Sequence, residues 1–113
     1  MEESAALLAL AALSHAHRLG IFRLLVQAGP EGMSAGRIAE QAGLAPSSLS
    51  FHIKELSRAG LVHQRQASRF IFYAANYEVM KGLVAFLTEN CCGGNPCLPV
   101  AACSSTAALE KSR

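Results

Sequence analysis

The apolar periodicity of the chain changes at Gly60, and that change narrows what the chain can fold into. Before it, Leu49, Ile53 and Leu56 recur at the three- and four-residue spacing of a helix that opens at Pro46 and stops at Ala59-Gly60. After it, Leu61 to Arg65 and Phe70 to Tyr73 read as two short strands, with Gln66-Ala67-Ser68-Arg69 as the turn of a β-hairpin. Just upstream, Ser34 has the chemistry of an N-cap for a short helix with Ile38 and Ala39 facing inward, and Gly43 ends it.

Two short helices around a glycine turn, with a hairpin directly behind them, spell a winged helix-turn-helix. The flanking segments are helical too. Leu7, Leu8, Leu10, Ala11 and Leu13 make a first helix that is apolar on most sides and is expected to be buried at a subunit contact. A second runs from about Ala16 to Gln27 on Leu19, Ile21, Phe22, Leu25 and Val26, with Arg18 and Arg23 on the wet side, and Gly29-Pro30 breaks it. A last helix spans about Tyr77 to Glu89. The expected fold class is mostly α with a β-hairpin: four helices, two strands, one helix. Residues 1–92 are expected to form the DNA-binding and dimerisation domain, and residues 93–113 a cysteine-containing loop and flexible tail.

With 113 residues, of which 51% are hydrophobic and 16% charged, the chain fits one ordered domain with apolar surface to spare. The apolar stretch from Ala5 to Leu13 follows Glu2-Glu3 instead of a basic segment, so it does not read as a secretory leader, and it is too short to span a bilayer. The expectation is a cytoplasmic protein with no membrane partner. Reduced thiols there favour metal or redox chemistry for the four cysteines over a disulfide framework.

The net charge of +2 says little, but Lys54, Arg58, Arg65 and Arg69 against Glu55 place the positive excess in residues 51–75. The outer face of the helix from Pro46 carries Ser47, Ser48, Ser50, Phe51 and Lys54, whose hydroxyls and ammonium suit base edges and phosphates. Phe51 lies opposite the apolar stripe and has two readings: contact with a thymine methyl, or packing on the helix that starts at Ser34. His52 borders the stripe and reads as a hydrogen-bonded structural histidine before a metal ligand. Arg65 and Arg69 flank the hairpin turn and are assigned to phosphate or the minor groove, with solvated surface charge as the alternative.

The run from Leu49 to Val62 resembles the S-x-H-L-x-x-L-x-x-A-G-L-V signature of the ArsR/SmtB family of metal-responsive repressors, and Leu13 to Leu25 is similar to that family's L-a-x-x-x-R-L-x-I-L-x-x-L segment. The resemblance covers roughly residues 5–90. It implies a homodimer built from the first and last helices and a partner of double-stranded operator DNA.

All four cysteines lie beyond residue 90: Cys91, Cys92, Cys97 and Cys103. Thiolates select soft ions, and zinc usually takes four ligands, often from C-x-x-C pairs, which are absent here. Three nearby sulfurs suit a three-coordinate pyramidal ion such as trivalent arsenic, and antimony(III) fits the same way. Gly93-Gly94-Asn95-Pro96 lets the chain reverse and bring Cys97 back to the pair. An oxidation-prone tail is the plainer alternative. Within the family, Arg37 to Gln41 has no cysteines where some arsenic-responsive members carry them, and residues 77–90 lack the Asp/His pairs of the zinc-responsive members. The run Leu83 to Cys92 instead resembles a subgroup that binds arsenic through an adjacent Cys-Cys pair and a third cysteine a few residues on. The spacing here is about one residue shorter, so both Cys97 and Cys103 stand as the third ligand.

The functional expectation is a repressor that leaves its operator when trivalent arsenic (arsenite, an organoarsenical or antimonite) bonds these thiolates, with no resident cofactor. The alternatives are a thiol redox-sensing repressor on the same scaffold and a cysteine-based arsenic carrier. No nucleophile–base set or phosphate-cradling glycine loop points to an enzyme.

Overall fold

A computed structural model describes residues 1–94. The elements run α1 (Glu3–Leu13), α2 (Ala16–Ala28), β1 (Met33–Ser34), α3 (Ala35–Ala42), α4 (Pro46–Arg58), β2 (Val62–Ala67), β3 (Phe70–Ala75) and α5 (Tyr77–Leu87), followed by a 3₁₀ turn at Cys91–Gly94. The winged helix-turn-helix architecture is as expected. The expected hairpin, however, is two strands of a three-stranded antiparallel sheet ordered β1-β3-β2. The extra strand pairs Met33 with Tyr73 and Ser34 with Phe72. Two residues are too few to show an alternating pattern, so periodicity does not reveal this strand.

Local chemistry fixes the helix-turn-helix. The Ser34 hydroxyl accepts the Arg37 N–H at 3.3 Å, which caps α3. Gly43 ends α3 with φ 69° and ψ 36°, a left-handed conformation that glycine adopts without steric cost. Pro46 then starts α4 at a position where no amide hydrogen is needed. At its far end the Leu61 N–H donates to Leu56 O at 3.0 Å, and the chain turns through Gly60 into β2. Between β2 and β3 the turn is tighter than expected. Ala67 pairs with Phe70, leaving Ser68 and Arg69 as a two-residue loop, with Ser68 at φ 61°. Positive φ at the first loop residue is what the mirror-image turns of short hairpins need.

The core lies between α2, α3, α4 and the sheet, with Ile21, Leu25, Ile38, Leu56 and Leu61 fully buried. Tyr77 fastens α5 to this core, its hydroxyl donating to Val26 O at 3.0 Å. Asn76 caps α5 through Oδ1, which accepts from the Val79 N–H at 3.4 Å.

Within one subunit α1 packs through its alanines, and its leucines are left for the expected subunit contact. Ala6, Ala9 and Ala12 are the buried residues, while Leu7, Leu8 and Leu10 are exposed. Small side chains let α1 approach its neighbours closely, and the leucines are left pointing outward. Leu19 on α2 is exposed as well, as are Val84 and Leu87 on α5. Arg18 is not on the wet side of α2. It is partly buried, and its Nε donates to Ala12 O at 2.7 Å, across a 104° bend between α1 and α2. No single helix among the described residues is long and apolar enough to cross a membrane.

Candidate nucleic-acid interface

α4 separates its two kinds of side chain cleanly. Leu49, Ile53 and Leu56 are buried, whereas Ser47, Ser48, Ser50, Phe51 and Lys54 are all exposed. Phe51 is 57% exposed, with its ring edge-on to that of His52 at 5.6 Å between centres, so much of the ring is open to a partner. An aromatic ring standing among hydroxyls on a helix surface is set up for apolar contact with a partner. Burying it would remove a large apolar surface from water.

The two wing arginines differ. Arg69 sits in the two-residue loop and is exposed. Arg65 lies back from the loop on β2, directly across from Phe72. Its Nη2 donates to Glu31 O at 2.7 Å, and its guanidinium carbon stands 4.9 Å from the centre of the Phe72 ring. Arg65 therefore ties the wing to the loop before β1 as well as carrying charge. Phe70 and Ile71 beside the loop are exposed apolar residues that sequence reasoning did not assign to the interface. Their position in a hairpin strand was legible, but their exposure was not.

His52 is buried as expected, but among the described residues its Nδ1 has no hydrogen-bond partner, so the expected hydrogen bond is not made at that atom. His15 and His17, at the start of α2, lie against it. Sequence reasoning missed this grouping. Burial chiefly, and then the charges of His15, Arg18 and His17, push the His52 imidazole below its ordinary pKa.

The cysteines stand apart from this surface. α5 ends at Leu87, earlier than expected, so Cys91 and Cys92 occupy a separate turn and do not extend the helix. The Cys91 N–H donates to Thr88 O at 3.1 Å. Asn90 and Cys92 both have positive φ, so the chain bends sharply around the pair. Cys91 is half-buried and Cys92 exposed. Cys92 is disulfide-bonded, so its sulfur lies within covalent reach of another. Cys97 and Cys103 lie outside the described residues. Among the described residues no group of three His, Cys, Asp or Glu side chains is arranged to hold a metal ion.

These features define a winged helix-turn-helix protein with an exposed reading helix. A helix-turn-helix domain family matches residues 13–65. The HTH-type transcriptional regulator YgaV of Escherichia coli (strain K12) is 33% identical over 91 residues, which cover 80% of this chain and 88% of YgaV. The structure of HlyU from Vibrio cholerae N16961 superposes with a TM-score of 0.61 at 30% identity, covering 81% of this chain and 99% of HlyU. A possible transcriptional regulator for arsenical resistance gives a TM-score of 0.59 at 25% identity, covering 70% of this chain and 79% of that one. The chain belongs to the winged helix-turn-helix transcriptional regulators of the ArsR/HlyU type, and it is a DNA-binding protein.

Proposed function

We propose that the chain is a homodimeric repressor whose C-terminal cysteines bond trivalent arsenic and so release operator DNA. The observation that carries this reading is the position of Cys91 and Cys92 on a sharply bent turn that begins four residues past the end of α5, a helix that leaves Val84 and Leu87 uncovered. α1 and α5 touch each other, and with Leu7, Leu8 and Leu10 they offer the apolar surface from which a subunit contact is built. A dimer of winged helix-turn-helix units must space its two reading helices about one DNA turn apart. Each As–S bond replaces an As–OH, with the thiol proton leaving in the water that forms. Drawing Cys91, Cys92 and either Cys97 or Cys103 around one arsenic reshapes the end of α5. A coupling of about 1–3 kcal/mol between that change and helix spacing alters DNA affinity about 5- to 150-fold. The likeness to a possible arsenical-resistance regulator supports the choice of ion.

The test is DNA affinity of the reduced chain with and without arsenite, for the native protein and for single Cys91→Ser, Cys92→Ser, Cys97→Ser and Cys103→Ser variants. Affinity is expected to fall with arsenite only while the ligating thiols are intact. Equal affinities for the native chain would refute the arsenic reading. The disulfide at Cys92 favours a second reading, a thiol redox sensor. There, peroxide takes two electrons from a thiol pair, giving disulfide and water, and releases DNA in metal-free buffer.

A further inference from the structure

Three histidines meet where the start of α2 packs against α4. His52 of α4 is 7% exposed. Its ring centre stands 4.8 Å from that of His15 and 5.6 Å from that of His17, and the latter two are 5.7 Å apart. His15 Nδ1 is already engaged, accepting the His17 N–H at 3.1 Å as the N-cap of α2. His52 Nδ1, by contrast, is buried and has no hydrogen-bond partner among the described residues.

The charges that act on His52 are all of one sign. From α2 come His15, His17 and Arg18, the last pinned to Ala12 O and so unable to swing clear. On α4 itself Lys54 is exposed, and the carboxylate of Glu55 is taken by Arg58 at 3.1 Å. No carboxylate is paired with the trio among the described residues. Neutral His52 fits this pocket as a flat, largely apolar ring next to Leu49, Ile53 and Leu56. A charged ring would be desolvated, would lack an anion, and would face a guanidinium and two further imidazoles.

We infer that His52 is a positioning residue for the DNA-reading helix, and that α4 stays seated for specific DNA binding only while the His52 imidazole is neutral. Its neighbour Phe51 is exposed on the outer face of α4 with its ring against that of His52, so a shift of His52 shifts that face. The sign follows from the geometry. The unfolded chain takes up the proton at the ordinary value of 6.5, while the folded chain resists it to lower pH. The seat therefore contributes fully above that value and is lost as pH falls through the native one. Simple electrostatics predicts the opposite, because added positive charge draws a protein toward phosphate. Weaker binding in acid is therefore a signature of the seat.

The probe is a fluorescent duplex selected from a random-sequence pool by the reduced full chain at pH 8, with affinity measured by anisotropy at constant ionic strength. From pH 8 to pH 5.5 the native chain should lose affinity about threefold or more, the loss that linkage gives when binding lowers one histidine midpoint by roughly one unit across that range. His52→Gln should abolish most of the loss. The fourth histidine, His63 on β2, is present in both proteins and cancels from the comparison. If His52→Gln does not fold, NMR titration of the native chain replaces it: the His52 midpoint must move down when DNA binds. In His17→Gln, which removes an exposed neighbour, that midpoint in the free protein must move up. Tighter binding in acid, an unchanged pH profile in His52→Gln, or a His52 midpoint that DNA leaves alone or raises would overturn the inference.

Discussion

Replacing Gly32 with alanine probes the part of the fold that periodicity did not reveal. Gly32 has φ +77°, and an added Cβ would lie 2.8 Å from the Tyr73 carbonyl carbon and 3.2 Å from the Ala74 Cβ, while pressing on the Tyr73 carbonyl oxygen. Two costs add. A left-handed alanine costs roughly 1–2 kcal/mol. Contact between carbon atoms is comfortable only beyond about 3.5 Å, so the β3 backbone must give way, at roughly 1–3 kcal/mol for overpacking. The movement does not stay local, because Met33 and Ser34 pair with β3 and the Ser34 hydroxyl caps α3. A total of roughly 2–5 kcal/mol should lower Tm by roughly 10–20 °C or more in a domain of this size. The assay is thermal unfolding by circular dichroism at matched protein concentration, since a dimer's Tm depends on concentration. Gly20→Ala is the control. Gly20 lies within α2 with nothing within 4 Å of an added Cβ, so it should gain up to about 1 kcal/mol. A Gly32→Ala variant that melts within about 3 °C of the native chain would refute the close approach and the role of β1.

Phe51→Ala should leave Tm nearly unchanged, because the ring is exposed, yet weaken specific DNA binding about 5- to 150-fold if it meets a thymine methyl; anisotropy on native and thymine-to-uracil duplexes reads both effects. Arg69→Ala should reduce the slope of log affinity against log salt by about one phosphate contact without affecting stability. Arg65→Ala should do the same and also lower Tm, since it loses the bond to Glu31 O and the Phe72 contact. Leu8→Glu should shift the chain to monomer in sedimentation equilibrium while leaving its helical circular dichroism intact, because Leu8 is exposed in the single subunit. An unchanged sedimentation profile would move the subunit contact off α1.

What was legible in the sequence was legible because its determinants lie within a few residues of one another. The α4 stripe, the Ser34 cap, the Gly43 stop and the change of period at Gly60 each depend on spacing along one stretch of chain, and the structure has all four. The α1 stripe was not legible. Where nearly every residue is apolar, periodicity cannot say whether the alanines or the leucines face inward, and packing against α2 and α5 chose the alanines. The opposite fates of Arg65 and Arg69 were hidden for a related reason, since four residues of sequence do not show that one of them meets a carbonyl 34 positions away.

The sequence alone determined the order of the helices, the wing, the serine- and Phe51-bearing surface of α4, and the clustering of thiols after the last helix. Tertiary structure alone decided that β1 joins the sheet, that Phe51 is exposed, that His15 and His17 lie against the buried His52, and that the first two cysteines leave α5 on a turn of their own. Helix periodicity and caps are set by atoms one turn apart, so residue order carries them. Contacts between distant segments depend on how every element has already packed, and no local pattern encodes that arrangement.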